Sequence, residues 1–470
     1  MSNNTEIELK FLVNKKALAK LLDSGVLQIE AESRKTRRLV SSYYDTEDFA
    51  FKNNGIAYRV RDKGDGSFEA TVKTDRKSSA GLSERVELNL PLQKNEAVLE
   101  GFEELGLEQS LRLLAPNGVV KLFTVDVERT TYILLQGASK IEMAIDLGKI
   151  RARGRKTVPV DELELELLEG EKQDLLELAG KIAQELPLFV EKRSKYARGM
   201  ALLGVATEIP VAKEKMRGPI RRELMKMVNY HGDVLLELQN QINGQKAMTE
   251  ELIVALRKPI SFICSYLKLM QQVMNAQADY SELTAIAENW KDRLDHWQLM
   301  AELQQEWQDL LVLDPALGKN DPLQKLLQQE QLEDGKILQQ RSKKGELTYL
   351  IYTLLTVLER AELPQEDFPQ ADTVVIALCD TLQQEMLNLE DKAEQTAVRR
   401  YQLLELLLCL SKSVKGKRFG HLHDGWKKQA KQVRELYLWQ QELLQLQNWL
   451  KSAEEKALVR NLGVLYGSIL

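Results

Sequence analysis

The charged residues at the start of the chain have the types and spacing to do chemistry. Glu6, Glu8 and Lys10 occupy every second position, with an apolar residue between each pair. Because strand side chains alternate between two faces, a strand here would carry these charges on one face. Carboxylates bind hard divalent cations and ammonium groups bind phosphate, so this face could assemble a metal–phosphate site. The alternative is an amphipathic strand whose charged face simply contacts water.

The same alternation recurs in several segments of the first 200 residues. The charged positions are Arg59 and Arg61 in IAYRVR, Lys73 in FEATVK, Arg85 and Glu87 in SERVELNL, Glu142 and Asp146 in KIEMAID, and Glu162, Glu164 and Glu166 in ELELELL. Closing such strands into a barrel with the charges inside would form a cavity lined by carboxylate and cationic groups. Burying charges is costly unless they pair with each other or with bound ions. A polyanion with divalent metals would satisfy both signs.

Composition argues against several classes of protein. The formal net charge of −5 over 470 residues gives no cationic field, so we expect no nucleic-acid partner. Cys264, Cys379 and Cys409 lie far apart in apolar surroundings and predict neither a disulfide framework nor a metal site. No apolar run is long enough for a membrane span, and the N-terminus lacks a signal-peptide pattern. We therefore expect a cytoplasmic protein with no membrane partner.

The order of these motifs resembles the CYTH superfamily, also called triphosphate tunnel metalloenzymes. EIELK at residues 6–10 matches the ExExK signature, and RVR, the Lys73 strand, the Arg85 strand, Arg129, ELELEL and SKYARG follow in the family's order. The chain resembles bacterial proteins that join this domain to a C-terminal CHAD domain. The resemblance implies an α+β fold, in which an eight-stranded antiparallel β-barrel tunnel with flanking helices precedes an all-α helical bundle.

The resemblance also implies roles for the matched residues. The metal ligands would be Glu6, Glu8, Asp146, Glu164 and Glu166, with Glu162 in support, and the cofactor would be Mg²⁺ or Mn²⁺ as two ions. The catalytic and phosphate-holding residues would be Lys10, Arg59, Arg61, Lys73, Arg85 and Arg129, while Lys195 and Arg198 would add substrate contacts near one tunnel mouth. Glu87 would orient Arg85, and Tyr44 is either part of the site or ordinary core. The alternatives are a solvated edge strand for ELELEL, salt bridges for the basic residues, and a basic helix end for Lys195 and Arg198.

Composition changes near residue 205, because every Trp, His and Cys lies beyond this point. Amphipathic helical patterns follow one another there. We predict a CYTH tunnel domain at 1–205, a linker at 206–219 and a CHAD-like helical domain at 220–470. The segment 412–434 is rich in Lys and Arg. It is either a site for long-chain polyphosphate or a solvated helix face.

Three functions are compatible with these features. The leading hypothesis is a metal-dependent inorganic triphosphatase, a hydrolase of phosphoanhydride bonds whose partner is inorganic triphosphate and whose products are pyrophosphate and phosphate. A phosphohydrolase or cyclase acting on an organic triphosphate, such as thiamine triphosphate or ATP, would share the tunnel motifs. A non-catalytic polyphosphate-binding protein would have lost its metal-binding acids, and the intact ExExK and ELELEL motifs argue against it. No His precedes residue 205, so catalysis in the tunnel would rest on charge and positioning.

Overall fold

The computed structural model describes residues 5–13, 15–102, 107–205, 219–273, 280–313, 322–360 and 371–387, with short segments at 403–404, 407–408 and 424–429. The strands are β1 (Thr5–Leu12), β2 (Lys35–Asp45), β3 (Ala57–Asp62), β4 (Phe68–Ser79), β5 (Leu82–Leu92), β6 (Val120–Gln136), β7 (Ser139–Arg151), β8 (Val158–Glu169) and β9 (Phe189–Val190). The helices are α1 (Lys15–Asp23), α2 (Ala50–Asn53), α3 (Leu107–Leu114), α4 (Lys172–Glu185), α5 (Lys195–Leu202), α6 (Ile220–Asn243), α7 (Glu250–Val273), α8 (Ser281–Leu313), α9 (Pro322–Lys343), α10 (Glu346–Arg360) and α11 (Ala371–Leu387). Each segment that the alternation predicted to be extended lies in a strand.

Strands β1 to β8 form a closed antiparallel barrel. Their order is β5-β4-β3-β2-β6-β7-β8-β1, and the barrel closes because β5 pairs back onto β1 between Thr5↔Val86 and Leu9↔Leu82. Strand β9 adds to β1 at Phe11 and Leu12, beside the barrel. A helical region follows, so the predicted α+β fold, with an eight-stranded barrel before an all-α region, is confirmed.

The barrel is charged inside around its cavity, and much of its outer face is apolar. On β1, Leu9 and Phe11 point away from Glu8 and are fully buried in the largest apolar cluster. That cluster joins β1, β7 and β8 to α1, α4 and the helical region, while a second covers β3–β5 with α2 and α3, and a third joins β2 and β6 to α5. The third cluster lies on the inner face, since Val127 shares a strand face with Arg129 and Val160 shares one with Glu164. The hydrophobic core of this half therefore lies partly between the barrel wall and the covering helices, and partly inside the end of the barrel that α5 covers.

The helical region packs directly against α4 and against the turn between β4 and β5. Helix α10 lies against α4, where a Cβ on Gly180 would stand 3.2 Å from Thr353 Oγ1. The Tyr352 hydroxyl donates to the carbonyl of Ala80 at 3.0 Å, and its ring meets Phe11 edge-on at 5.8 Å. The apolar core is therefore continuous between the two parts of the chain.

The turn between β4 and β5 requires glycine for this contact. Ala80 and Gly81 have φ values of 47° and 80°, in the left-handed region. A Cβ on Gly81 would also lie 2.8 Å from the Tyr352 hydroxyl and would collide with Val190. Replacing Gly81 would thus disturb both the turn and the contact with α10.

Helix α5 ends at Leu202 and α6 begins at Ile220, so the predicted domain boundary falls between two helices. Of the predicted linker, residues 206–218 lie outside the described residues. Within the described ranges, no helix combines the length and apolar character needed to cross a membrane. The division into domains at 1–205 and 220–470 and the cytoplasmic location stay predictions.

Candidate active site

A cavity of about 320 Å³ lies inside the barrel, with α5 at its margin. Its lining combines the charged faces of β1, β3, β4, β5, β6 and β8 with the start of α5. The lining residues are Glu6, Glu8, Lys10, Tyr43, Ala57, Arg59, Arg61, Lys73, Arg85, Glu87, Asn89, Arg129, Glu164, Glu166, Ser194, Lys195 and Tyr196. The strand alternation read from the sequence thus places the charges inward.

On the β1 side of the cavity, two glutamates bind basic residues of β4 and β5. Glu6 accepts hydrogen bonds from Lys73 Nζ at 2.9 and 3.0 Å and from Arg85 Nε at 2.6 Å. Glu8 accepts from Arg85 Nη2 and from Lys10 Nζ, each at 2.5 Å. Burial alone would raise the pKa of Glu6 and Glu8, but these cations lower both below the ordinary value. Both carboxylates are therefore held in their ionised form.

On the β8 side, the ammonium group of Lys195 lies among three carboxylates. Its Nζ is 2.7 Å from Asp146 Oδ2, 2.5 Å from Glu162 Oε2 and 2.8 Å from Glu164 Oε1. One carboxylate oxygen from each of these acids lies within 4.8 Å of the other two, so the three could hold a metal ion between them. Lys195 nevertheless occupies this position, donating a hydrogen bond to Glu164 and forming ion pairs with Asp146 and Glu162. A metal ion at this cluster would have to compete with a built-in cation.

The pKa values on this side follow from the same pairing. Burial opposes ionisation of Asp146, yet Arg129 and Lys195 lower its pKa to about 2. Arg129 donates to Asp146 through Nε at 2.7 Å and through Nη2 at 2.6 Å, and to Glu164 at 2.5 Å. Burial would lower the pKa of Lys195, but the three acids raise it above its ordinary range. The charges of Asp146, Glu164, Arg129 and Lys195 therefore stabilise one another.

Arg61 is different, because its positive charge is not compensated. Its Nε donates to Ser41 Oγ at 3.0 Å, and among the residues that the structure describes it makes no ion pair. Burial and the nearby charges of Arg59 and Arg129 lower the pKa of Arg61 to about 10. Arg59 contacts Glu87 at 3.5 Å, and its buried Nε has no hydrogen-bond partner. Burial would lower the pKa of Arg59, but Tyr43 and Glu87 raise it. Arg61 is therefore the one of this pair whose positive charge is left uncompensated in the cavity.

Glu166 shows the opposite imbalance. Burial together with the neighbouring charges of Glu6 and Glu8 raises the pKa of Glu166 to about 8. It makes no ion pair with any side chain in the described part of the chain. Glu142, which pairs with Glu166 in the β7–β8 register, also has its pKa raised, mainly by burial. This corner of the cavity carries excess negative potential.

Most residues that the sequence singled out are brought together in this cavity. Its lining does not include Asp146, Glu162, Arg198 or Tyr44. Asp146 and Glu162 are fully buried, and Arg198 bonds to Glu162 and to the carbonyl of Pro159. The direct substrate contact predicted for Arg198 stays a prediction, as do the individual roles of the lining residues. The salt bridges that were the alternative for the basic residues are present.

Tyr43 is a lining residue that the sequence analysis missed. It stacks on Phe123 at 4.8 Å and stands opposite Arg59 in the β2–β3 register. Burial would raise its pKa, but Arg59 and Arg61 lower it. Tyr44, which the sequence singled out, packs instead in the outer cluster at 6.0 Å from Tyr58. The alternation along β2 could have identified Tyr43, since it shares a face with Ser41.

Local sequence fixes α5 at the margin of the cavity. The side chain of Ser194 caps the helix by accepting a hydrogen bond from the amide of Ala197 at 3.1 Å. Gly199 lets the helix approach the barrel closely, because a Cβ there would collide with the ring of Phe123. The helix therefore lies on β6 and directs Lys195 and Tyr196 toward the cavity.

The predicted anion surface of the helical half is not part of this site. Of residues 412–434, only 424–429 lie among the described residues, and they form a helical segment in which Trp426 is buried. The remainder, with Lys415, Lys417, Arg418, His421 and His423, lies outside them. Binding of long-chain polyphosphate stays a prediction.

Comparison with known proteins supports the resemblance of the N-terminal half. Residues 4–200 match the family model of the CYTH domain. An inorganic triphosphatase from Haemophilus influenzae is 34% identical over 172 residues, which are 35% of this chain and 46% of that protein. The chain thus matches about half the length of this curated relative. The CYTH resemblance is confirmed for the N-terminal region, and the CHAD resemblance of the helical region stays a prediction.

Solved structures also align with part of this chain. A putative adenylyl cyclase from Hippeastrum, described as having a dominant triphosphatase activity, is 17% identical, with a TM-score of 0.32 over 43% of this chain and 97% of its own. A protein from Pyrococcus horikoshii is 20% identical, with a TM-score of 0.27 over 40% of this chain and 94% of its own. The RNA triphosphatase domain of a mimivirus capping enzyme is 12% identical, with a TM-score of 0.24 over 38% of this chain and 90% of its own.

Proposed function

We propose that this protein is an inorganic triphosphatase that hydrolyses triphosphate to pyrophosphate and phosphate in the tunnel, with Mg²⁺ or Mn²⁺. The incomplete charge pairing of the cavity carries the proposal. Among the described residues, Arg61 has no carboxylate partner and Glu166 has no cationic one. A triphosphate anion would compensate Arg61, and divalent cations would compensate Glu166. The CYTH match and the similarity to the Haemophilus influenzae triphosphatase support the same function.

The carboxylates of the cavity suit the metal ions that this function requires. Glu6, Glu8, Glu164 and Glu166 line the cavity and supply only oxygen ligands, which hard divalent cations prefer. Glu166 has no internal cation to displace, whereas Glu164 is shared with Lys195. We assign two ions to these residues, with Asp146 supporting the site from behind. Bound there, the ions would supply positive charge to the phosphate oxygens.

Substrate binding would fall to the basic side chains. Arg59 and Arg61 would take one end of the triphosphate, because their buried guanidinium groups are incompletely paired. The remaining cations would hold the other phosphates while keeping their carboxylate partners; they are Lys10, Lys73, Arg85 and Arg129. Because the carboxylates already fix these side chains, little reorganisation is needed when the anion binds.

The reaction would then proceed by electrostatic stabilisation. Water attacks a terminal phosphorus, a new P–O bond forms as the anhydride P–O bond breaks, and negative charge grows on the departing oxygen. One proton of the water stays on the phosphate formed, and the other passes to the departing pyrophosphate. Fixed guanidinium and ammonium groups in a cavity with little water stabilise that charge more strongly than solvent does. Each such contact is expected to contribute a few kcal/mol to the transition state. No covalent intermediate is needed.

A phosphate-release assay tests the proposal. Inorganic triphosphate, ATP, thiamine triphosphate and long-chain polyphosphate are compared with and without Mg²⁺ or Mn²⁺, and we expect metal-dependent release that is fastest from inorganic triphosphate. Arg59→Met should lower kcat/KM by about 100-fold. The matched control is Arg38→Met. Arg38 is exposed, does not line the cavity, and bonds Asp126 through a 3.0 Å contact. It should change kcat/KM by less than about twofold.

Three outcomes would contradict the proposal. Faster hydrolysis of ATP or thiamine triphosphate would favour the organic-triphosphate alternative. Tight triphosphate binding without release of phosphate, at any metal concentration, would favour a non-catalytic binding protein. Equal activity in Arg59→Met and Arg38→Met would place catalysis outside this cavity.

A further inference from the structure

The short strand β9 lies between the barrel and the helical region. On one edge its residues pair with β1, and the amide of Glu191 donates to the carbonyl of Lys10 at 2.9 Å. On the other side, the carbonyl of Val190 accepts a hydrogen bond from Asn240 Nδ2 at 2.6 Å. The helical region therefore supplies a partner for a strand that would otherwise be an edge of the sheet.

A second contact of this kind involves two buried side chains of the helical region. Thr348 Oγ1 and Gln239 Nε2 both donate to the carbonyl of Leu188, at 2.8 and 3.1 Å. They also bond each other, since Gln239 Nε2 donates to Thr348 Oγ1 at 2.8 Å and Gln239 Oε1 accepts from the amide of Thr348. Both side chains are fully buried. Buried polar groups that are satisfied in this way fix one relative position of the parts they join.

Strand β9 is joined to the cavity by a short connection. Residues 191–194 link it to α5, and Lys192 anchors this link by donating to the carbonyl of Asp233 at 2.6 Å. Lys195 follows at once as the first residue of α5. Its ammonium group must reach three carboxylates at 2.5–2.8 Å, so a small displacement of β9 would change these distances.

We propose that Gln239, Asn240 and Thr348 are positioning residues of the tunnel. They hold β9 so that α5 brings Lys195 to the acidic cluster formed by Asp146, Glu162 and Glu164. The helical region is then a structural part of the active site, although none of its described residues lines the cavity. This inference rests on the proposed function wherever turnover is the readout, and it has a second readout that is independent of activity.

A double-mutant cycle tests the inference by turnover. Gln239→Leu keeps the size of the side chain and removes its hydrogen bonds, and we expect kcat for inorganic triphosphate with Mg²⁺ to fall about tenfold, with KM within about twofold. In a Lys195→Met background the same change should cause no further loss, because the group it positions is gone. The matched control is Gln304→Leu, which removes a 2.7 Å bond to Gln331 between α8 and α9 and should leave kcat unchanged.

Chemical labelling of lysines gives the readout that does not need activity. Peptide mapping after acetylation should show that Lys195 is acetylated faster in Gln239→Leu than in the wild-type protein. Lys73 lies in the same cavity but is carried by β4, so its rate should not change. If Gln239→Leu does not fold, Asn240→Ala carries the same tests, because its side chain is only half-buried and contacts β9 through one bond.

The outcomes separate this inference from the proposed function. Wild-type kcat in Gln239→Leu, or a further loss in the Lys195→Met background, would overturn the positioning role. If the wild-type protein hydrolyses no triphosphate, the proposed function fails, and the labelling rates alone decide the inference. Equal labelling of Lys195 in both proteins would then overturn it.

Discussion

Replacing Arg61 by Met should stabilise the protein while it lowers kcat/KM about 100-fold. Arg61 is half-buried beside Arg59 and Arg129, and among the described residues no carboxylate pairs with it. Methionine keeps an unbranched side chain of similar reach and removes the charge. If the cavity holds uncompensated positive charge for a substrate anion, removing that charge raises the stability of the substrate-free protein. The same change removes a cationic group that would bind the substrate.

The size of the effect follows from the pKa of Arg61. Burial and the neighbouring arginines lower this pKa from 12.5 to about 10, and each pKa unit corresponds to about 1.4 kcal/mol, which gives about 3 kcal/mol. At neutral pH the side chain is charged in both the folded and the unfolded protein, so the folded state bears the whole cost. The cost would disappear only above the unfolded pKa. Loss of the hydrogen bond to Ser41 offsets about 1 kcal/mol, so we expect a net stabilisation of about 2 kcal/mol.

Arg129→Met is the matched control, because the same substitution in the same cavity should have the opposite effect on stability. Arg129 bonds Asp146 and Glu164 at 2.5–2.7 Å. Removing it leaves two buried carboxylates with Lys195 as their main remaining cation. Breaking a buried pair in this way typically costs about 3 kcal/mol or more.

Both variants are measured by urea unfolding and by phosphate release from triphosphate with Mg²⁺. The unfolding midpoint should rise for Arg61→Met and fall for Arg129→Met, while kcat/KM falls about 100-fold in each. Adding triphosphate should stabilise the wild type and should hardly affect Arg61→Met. Destabilisation of Arg61→Met similar to that of Arg129→Met would show that Arg61 has an internal counter-charge, and the reasoning would be wrong.

Three further predictions concern other parts of the molecule. Glu164→Gln should lower turnover about 100-fold with an unchanged circular dichroism spectrum, and normal metal-dependent turnover would remove β8 from the site. Tyr352→Phe should lower the free energy of unfolding by about 1–3 kcal/mol, because the buried carbonyl of Ala80 loses its donor, and an unchanged urea midpoint would contradict that contact. Burial raises the pKa of Cys264 and Cys379 to about 12, so at pH 8 both thiols are protonated and should resist iodoacetamide in the native protein. Peptide mapping that finds either one alkylated as fast as in urea would contradict this.

The sequence by itself determined the strands and the face that each presents. A two-residue period is a local property, so the alternation in EIELKF or ELELELL states which side chains share a face, whatever lies around them. The density and order of the charges then favoured an inward face. The structure confirms the barrel and brings most of the predicted residues into one cavity.

Only the tertiary structure decided which charges are compensated. Arg59 and Arg61 have the same local pattern, yet one has Glu87 within 3.5 Å and the other meets Ser41. Glu164 and Glu166 are equivalent in ELELEL, but cations lower the pKa of Glu164 against the effect of burial, while burial and acids raise that of Glu166. Pairing depends on strand register and on α5, which no local pattern specifies.

The relation of the two halves also needed the tertiary structure. The change in composition near residue 205 predicts a domain boundary, and this position falls between the end of α5 and the start of α6. The apolar core nevertheless continues from one side of it to the other. The outer faces of β1, β7 and β8 are apolar. The sequence shows that these faces must be covered, but it does not show which segments cover them. Helices α4 and α10 and the side chains that hold β9 provide the cover. Packing between segments far apart in the chain therefore joins the helical region to the tunnel, because burial rewards any complementary apolar surface and only the folded geometry selects one.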